Sequence, residues 1–464
     1  MTTIAHRLAE RIHAVSWDDL PEEAIHWAKI GILDTIAVTL AGATEECTRI
    51  ALATPGVAEA PGPALIYGHE QRTSVLDAAL INGVASHALD FDDVNNHIGG
   101  HPSVPLVPAI MALGDWLDVS GRDALLAYVT GFEVETRIGR GVNQHHYEKG
   151  WHPTATLGIF GTVAAASRLL GLGLDQTATA LGLAVSLSSG VKANFGTMTK
   201  PLHIGHSVRN GLFAALLARD GFTANQGAFE HHQGFLKVFN GDGTHDMERT
   251  FAEWGQPWNV AQPGPNLKQF PCCGSTHGAI NAMLRLRAEH GLQPDDVADI
   301  EVLTTPRRLP HTDNPNPRTG LEAKFSIHYV TARALSDGAV KLAHFDGQAF
   351  DDDVPRAIMG KVRTGIHPDM NDPDHDGYGA EVIVTTKDER ELRHRVDTEV
   401  LRGPEYPMTE LEFAGKFTDC VSRALPENGV EALYSMLQGL DVVESLRSVS
   451  DFIAGDTSAT QAAE

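Results

Sequence analysis

The sequence predicts a mainly α-helical protein, with a large all-helical domain and a smaller α/β domain. Three observations carry this. Apolar residues recur at helical spacing, with glycines at the segment ends, over residues 1–265. The Gln262-Pro263-Gly264-Pro265 stretch then marks a change of character. After it, Ile300–Thr305 and Glu381–Thr386 run or alternate with β-branched residues, as strands do. A length of 464 residues is enough for two hydrophobic cores.

The elements follow in order. Met1–Val15 is an amphipathic helical pattern of mixed charge, without the continuous apolar region of a signal peptide. Glu22–Ala43 has helical periodicity and reaches its end at Gly42. Ser74–Asp93 places Leu76, Leu80, Val84 and Phe91 near a 3.6-residue period. Further helices are expected over Val107–Leu117, Arg122–Gly141, Thr154–Leu170, Asp175–Ser189 and Gly205–Arg219. They are rich in Ala, Gly and Leu, so they can approach closely and form a tight, self-associating bundle. In the second domain, residues 266–405, helices are expected over Leu321–Ser336 and Phe350–Met359, and a polar turn-rich loop over 366–378. Residues 408–454 return to helix and complete the first domain, and 455–464 is expected to be a disordered tail.

Composition narrows the function classes. A formal charge of −24 argues against nucleic acid, whose phosphates need clustered Lys and Arg. A local basic pocket can still hold a small anion. No uninterrupted apolar run reaches the roughly 18 residues that would span a bilayer, so no membrane partner is expected. Cys47, Cys272, Cys273 and Cys420 lack zinc or iron–sulfur spacing, and a cytoplasmic location follows from that usage. No nucleotide-binding loop is present. No cofactor and no metal are expected.

Three segments hold a set of groups suited to moving protons. In the first, His87, Asp90 and Val94 stand at i, i+3 and i+7, so a helix would set them on one face and turn Asp92 elsewhere. Asp90 is then a candidate site carboxylate and Asp93 a second. The same pattern also describes a solvated acidic helix end. His97 and His101 follow in a glycine-containing loop, a favoured place for catalytic residues. These His and Asp residues include metal-ligand types, but their spacing matches no specific motif. In the second segment, Tyr147 and His152 flank Lys149-Gly150-Trp151 and are plausible proton donors, or structural hydrogen-bonders. In the third, Pro201 and Gly205 place Lys200 in a turn before a helix, beside His203, His206 and Arg209. There Lys200 reads as a base or, with Arg209, as an anchor for substrate carboxylates. Later, Cys272 or Cys273 could pair with His277 as nucleophiles, though His277 reads better as a binding residue. His328 and Tyr329 lie on an apolar helical pattern that also suits core positions.

At these segments the chain resembles the MmgE/PrpD family over nearly its whole length. That family includes 2-methylcitrate dehydratases, cis-aconitate decarboxylases and an iminodisuccinate epimerase. The resemblance implies a helical domain, an α/β lid domain, a homodimer formed through the helical domain, no cofactor, and an active site in the cleft between the domains. It makes Asp90, His101, Tyr147, His152 and Lys200 the catalytic candidates. Asp93, His97, His203, Arg209, His277 and Tyr329 are the substrate-binding candidates. Val94 stands where the decarboxylase-like motif carries Thr.

The expected function is a cofactor-independent lyase of a small di- or tricarboxylate, eliminating water or carbon dioxide by acid–base proton transfer. The alternative is an epimerase that uses Tyr147 and Lys200 on opposite faces of one acidic carbon. A metal-dependent hydrolase built on the His/Asp cluster and a non-catalytic carboxylate-binding protein are the remaining readings.

Overall fold

The computed structural model describes residues 2–371, 377–398 and 400–455. Nineteen α-helices and two small sheets are present among them. The chain divides into two compact units, Met1–Leu267 with Cys420–Glu464, and Lys268–Asp419.

The first unit is helical, apart from a two-residue hairpin pairing Ala64–Leu65 with Arg72–Thr73. Its helices start where the sequence supplies caps. Ser74 accepts from the Asp77 amide at the head of Val75–Ala88, and Ser120 forms a capping box with Asp123 at the head of Gly121–Val142. Glu22–Gly42 is apolar on nearly every face and long enough to cross a membrane; 78% of its apolar window is buried within the fold. The chain returns after residue 420 with Glu427–Gln438 and Arg447–Ile453. Leu446 donates its amide to the Val119 carbonyl, and its side chain occupies the space beside Gly114.

One crossing positions the candidate site. Val75–Ala88 and Thr199–Arg219 run antiparallel and meet at Gly83 and Gly205, where a Cβ on Gly83 would lie 2.8 Å from the Gly205 Cα. This contact brings the end of the first helix, with His87, to the start of the second, with Lys200 and His203. A Cβ on Gly205 would stand 2.4 Å from the Leu80 carbonyl oxygen. Gly205→Ala is therefore expected to destabilise the protein by about 1–3 kcal/mol through overpacking. This is the reverse of the roughly 1 kcal/mol gain expected at an open helix position. Urea unfolding of the variant checks it.

In the first unit, helix boundaries differ from the periodic pattern most clearly in three places. The predicted Ser74–Asp93 helix stops at Ala88. The predicted Gly205 helix begins earlier, at Thr199, because Pro201 falls in the first turn, where its missing amide proton has no intrahelical partner to lose. The Thr154–Leu170 helix is interrupted at Leu157, giving Pro153–Thr156 and Gly158–Leu169.

The second unit holds a four-stranded sheet. Val297–Thr304 pairs in parallel with Val362–Ile366 on one side and antiparallel with Ala380–Thr386 on the other. Glu391–Val396 pairs antiparallel with Ala380–Thr386 and forms the far edge. Ile300, Val302, Val382 and Val384 share a core with Ile280, Met283 and Leu286 of the His277–His290 helix. The two edge strands escaped sequence reading because their residues are mostly polar or half-exposed. The predicted Leu321–Ser336 helix is two helices, Gly320–Lys324 and Ile327–Asp337; the Ser326 side chain accepts from the Tyr329 amide and starts the second. Within the expected 366–378 loop, Pro368–Met370 forms a 3₁₀ turn, and residues 372–376 lie outside the described residues. So does the expected tail beyond Gly455.

Candidate active site

The site in the first unit is built on an abrupt helix end. Leu89 caps Val75–Ala88, and Asp90 follows with φ +53°. That left-handed turn costs a non-glycine residue about 1–2 kcal/mol and redirects the chain. Asp92 is thereby folded back onto the helix it has just left. Its Oδ2 lies 2.9 Å from His87 Nδ1, a contact that a continuing helix would not make at i+5. The helical-face argument that turned Asp92 away is thus corrected: the helix on which it relied ends before Asp92.

His101 arrives from a tight loop. Asn95 accepts from the His97 amide with its side chain and pairs with Gly100 through the backbone, while Gly99 takes φ +67°. The His101 amide donates to Thr154 Oγ1 at 3.0 Å. His101 Nδ1 comes to 2.9 Å from Asp92 Oδ2, and its Nε2 to 3.7 Å from Asp90 Oδ1. One buried carboxylate oxygen therefore bonds His87 and stands at ion-pair distance from His101, the two ring centroids being 4.6 Å apart.

Lys200 completes this centre. Its Nζ donates to Asp90 Oδ1 at 2.8 Å. One turn further, His203 Nδ1 lies 3.2 Å from His152 Nδ1. His152 is buried at the head of Pro153–Thr156, with Phe195 edge-on to its ring and His87 5.8 Å away. The antiparallel pairing of Trp151 with Val191 holds this stretch in place.

Burial and charge set the protonation states. Burial alone would raise the Asp92 carboxyl, but His101 and His87 outweigh it and hold the group well below the usual carboxylate range. Burial pushes His87 down to about 4, opposed by Asp92 and assisted by Lys200. Burial holds His152 well below the usual histidine range, assisted by the nearby Lys200 ammonium. The arrangement is an ionised Asp92 with His87 and His152 held in their neutral forms. His87 Nε2, His101 Nδ1, His152 Nε2 and Asp92 Oδ1 are buried with no hydrogen bond to another described side chain or backbone group.

Donor atoms of His87, Asp90, Asp92 and His101 all lie within 4.8 Å of one another, a spacing that a divalent cation could use. The Lys200 ammonium already places a positive charge on Asp90. The chemistry the side chains can perform alone is transfer of a proton beside a fixed cation.

The remaining sequence candidates fall elsewhere. Asp93 is buried behind the centre and bound to Ser103, so it is no direct substrate contact. His97 bonds Asn259 through Nδ1 at 2.7 Å and braces the loop. The Tyr147 ring lies under Lys192, 3.2 Å from its Nζ, and no described contact joins it to Lys200. His206 is exposed and bonds Asn210. Arg209 is nine residues after Lys200, roughly half a helical circumference away at about 100° per residue. The continuous helix thus turns Arg209 from the Lys200 face, which corrects its expected role as an anchor. In the second unit, His277 is buried and pushed down to about 3 by burial and the neighbouring Lys268. Tyr329 is a core residue there, its hydroxyl donating to the His344 carbonyl and accepting from Arg333 Nε. That corrects its assignment to substrate binding. No disulfide joins the four cysteines, and burial raises the Cys272 thiol to about 12, far from a nucleophile.

Sequence reasoning did not join His87 and Asp92 to the catalytic candidates. The only signal was their proximity in the chain, and its meaning depended on where the helix stopped.

Fold and site define a class: a helical unit and an α/β unit in one chain, with a histidine–carboxylate–lysine centre in the helical unit. The MmgE/PrpD N-terminal domain matches residues 6–248 and the MmgE/PrpD C-terminal domain matches residues 270–441. The chain belongs to the MmgE/PrpD family. It is similar to the cis-aconitate decarboxylase of Homo sapiens, with 30% identity over 465 aligned positions covering 98% of this chain and 95% of that protein. The Mus musculus cis-aconitate decarboxylase is 29% identical, covering 98% and 94%. That of Aspergillus terreus is 27% identical, covering 91% and 90%.

Proposed function

We propose that the protein is a cofactor-independent lyase of a small di- or tricarboxylate, and that loss of carbon dioxide from an unsaturated tricarboxylate such as cis-aconitate is its reaction. The observation that carries this is the Asp92-backed pair of imidazoles beside the Lys200–Asp90 ion pair. The names of three relatives support decarboxylation over elimination of water.

In this reaction Lys200 holds a substrate carboxylate. The bond to the departing carboxylate breaks, and its electron pair becomes a new carbon–carbon double bond. The pair of the old double bond takes up a proton at its far carbon. His101, oriented by Asp92 and carrying a proton on both ring nitrogens, delivers the Nε2 proton and is left as the neutral ring, while His152 is a neutral hydrogen-bonding group. Positioned acid–base groups of this kind contribute roughly 10²–10⁴-fold. Each donor aimed at developing charge adds roughly 10²–10³-fold. We further propose a homodimer in the cytoplasm.

An NMR turnover screen in deuterated water tests the reading, with cis-aconitate, 2-methylcitrate, citrate and iminodisuccinate as substrates. Carbon dioxide loss from cis-aconitate, with one deuterium in the product and no effect of chelator, is the expected result. Turnover of none of the four overturns the reading. Deuterium exchange without loss of carbon dioxide or water would assign an epimerase, and loss of activity on chelation a metal enzyme.

A further inference from the structure

Asp92 and Asp93 are consecutive, and the redirected chain sends their side chains to opposite sides. Asp92 meets the His101 ring. Asp93 meets Ser103, two residues further along the same segment: its Oδ1 accepts from the Ser103 amide at 3.2 Å and its Oδ2 from the Ser103 hydroxyl at 2.6 Å. The Ser103 hydroxyl, having donated to Asp93, accepts from Tyr128 Oη at 2.6 Å. Tyr128, on Gly121–Val142, is itself locked: a Cβ on Gly31 would sit 2.1 Å from its Oη. Asp93, Ser103 and Tyr128 are all essentially inaccessible to solvent.

We infer that Asp93, Ser103 and Tyr128 form a clasp that positions His101 for the proposed reaction. The two carboxylates pin one three-residue segment, His101 to Ser103, from both ends. Pro102 between them stiffens it. The Asp92 contact alone fixes where the ring can bond. The clasp fixes where the backbone holds the ring, and so the approach of Nε2 to Asp90 and to any bound acid. Burial raises the Asp93 carboxyl to about 8, with Ser103 opposing and Asp92 and Asp34 assisting. The hydrogen bonds to Ser103 do the holding. Glu135, also buried, adds a further carboxyl facing Tyr128 and Asp93.

This inference rests on the acid–base reading of His101, and its test separates the two. The ring nitrogens of His101 and His87 are followed by NMR in the free full-length protein, and kinetics are measured beside them. In Ser103→Ala, the His101 signals are expected to move toward the average of the two tautomers, while those of His87, which stands on a helix, stay in place. The kcat falls roughly 10–10²-fold, the size of effect expected from sub-ångström misplacement, with KM little changed. Tyr128→Phe gives a smaller change in the same direction. Asp93→Ala behaves like Ser103→Ala, and Asp93→Asn, which keeps a planar acceptor for the Ser103 amide, recovers most of the loss. Unmoved His101 signals in folded Ser103→Ala and Tyr128→Phe overturn the clasp whatever the kinetics show. Moved signals without any turnover in the wild type leave the clasp standing and overturn the lyase reading. Parallel shifts at His101 and His87 would mark general loosening and also overturn it.

Discussion

Asp92→Asn is expected to lower kcat by about 10²–10⁴-fold while the chain still folds. Asp92 Oδ2 bonds His87 Nδ1 and lies 2.9 Å from His101 Nδ1, so its negative charge favours a proton on that nitrogen in both rings. An amide can keep an oxygen at that place but not the negative charge, and the NH2 group at the other place is a donor with no acceptor beside it. Both imidazoles are then held more weakly, and a protonated His101 loses its counter-charge. A stability loss of about 1–3 kcal/mol accompanies the change, because a buried hydrogen-bonding group is left mismatched. Steady-state kinetics together with urea unfolding check both parts. A variant with wild-type kcat would show that Asp92 serves the fold alone.

Lys200→Ala is expected to reduce kcat/KM by roughly 10²–10³-fold or more, the loss typical of removing one donor aimed at charge in the transition state. Asp90 would be left facing an anionic substrate without its ammonium partner, so repulsion adds to the lost attraction. Stability changes little, by about 0–1 kcal/mol, since the Lys200–Asp90 pair is open to solvent on one side. Lys200→Arg restores the charge but not the compact ammonium geometry, and it is expected to recover substrate binding more than turnover. Measuring KM and kcat for both variants on cis-aconitate separates these contributions. Equal loss in KM and none in kcat would reduce Lys200 to a simple anchor.

Much of the architecture was legible in the chain. The helices at Glu22–Gly42 and Val107–Leu117, and the strands around residues 300 and 381, stand close to where periodicity and β-branched runs place them. The small-residue character of the bundle was visible too, and Gly83 against Gly205 is its consequence. What escaped was local and polar. The edge strands at 362–366 and 391–396 are half-exposed, so they carry little hydrophobic signal. The helix end at Leu89 has no glycine or proline to announce it, because an aspartate takes the left-handed position.

The sequence by itself determined the kinds of chemistry available: imidazoles, carboxylates and a lysine in three short segments, with the periodicity that makes the surrounding helices. Residue types and their spacing along the chain are local properties, and they survive any folding. Only the tertiary structure decided which of those groups meet. It retired Arg209 and Tyr329 from the site, one by the phase of a continuous helix and the other by burial in the second unit's core. It set His152 beside His203 and Lys200 upon Asp90 through the glycine crossing of the two helices that carry this part of the site. And it made Asp92 the carboxylate shared by His87 and His101, through one left-handed residue whose conformation packing imposes and sequence periodicity does not encode.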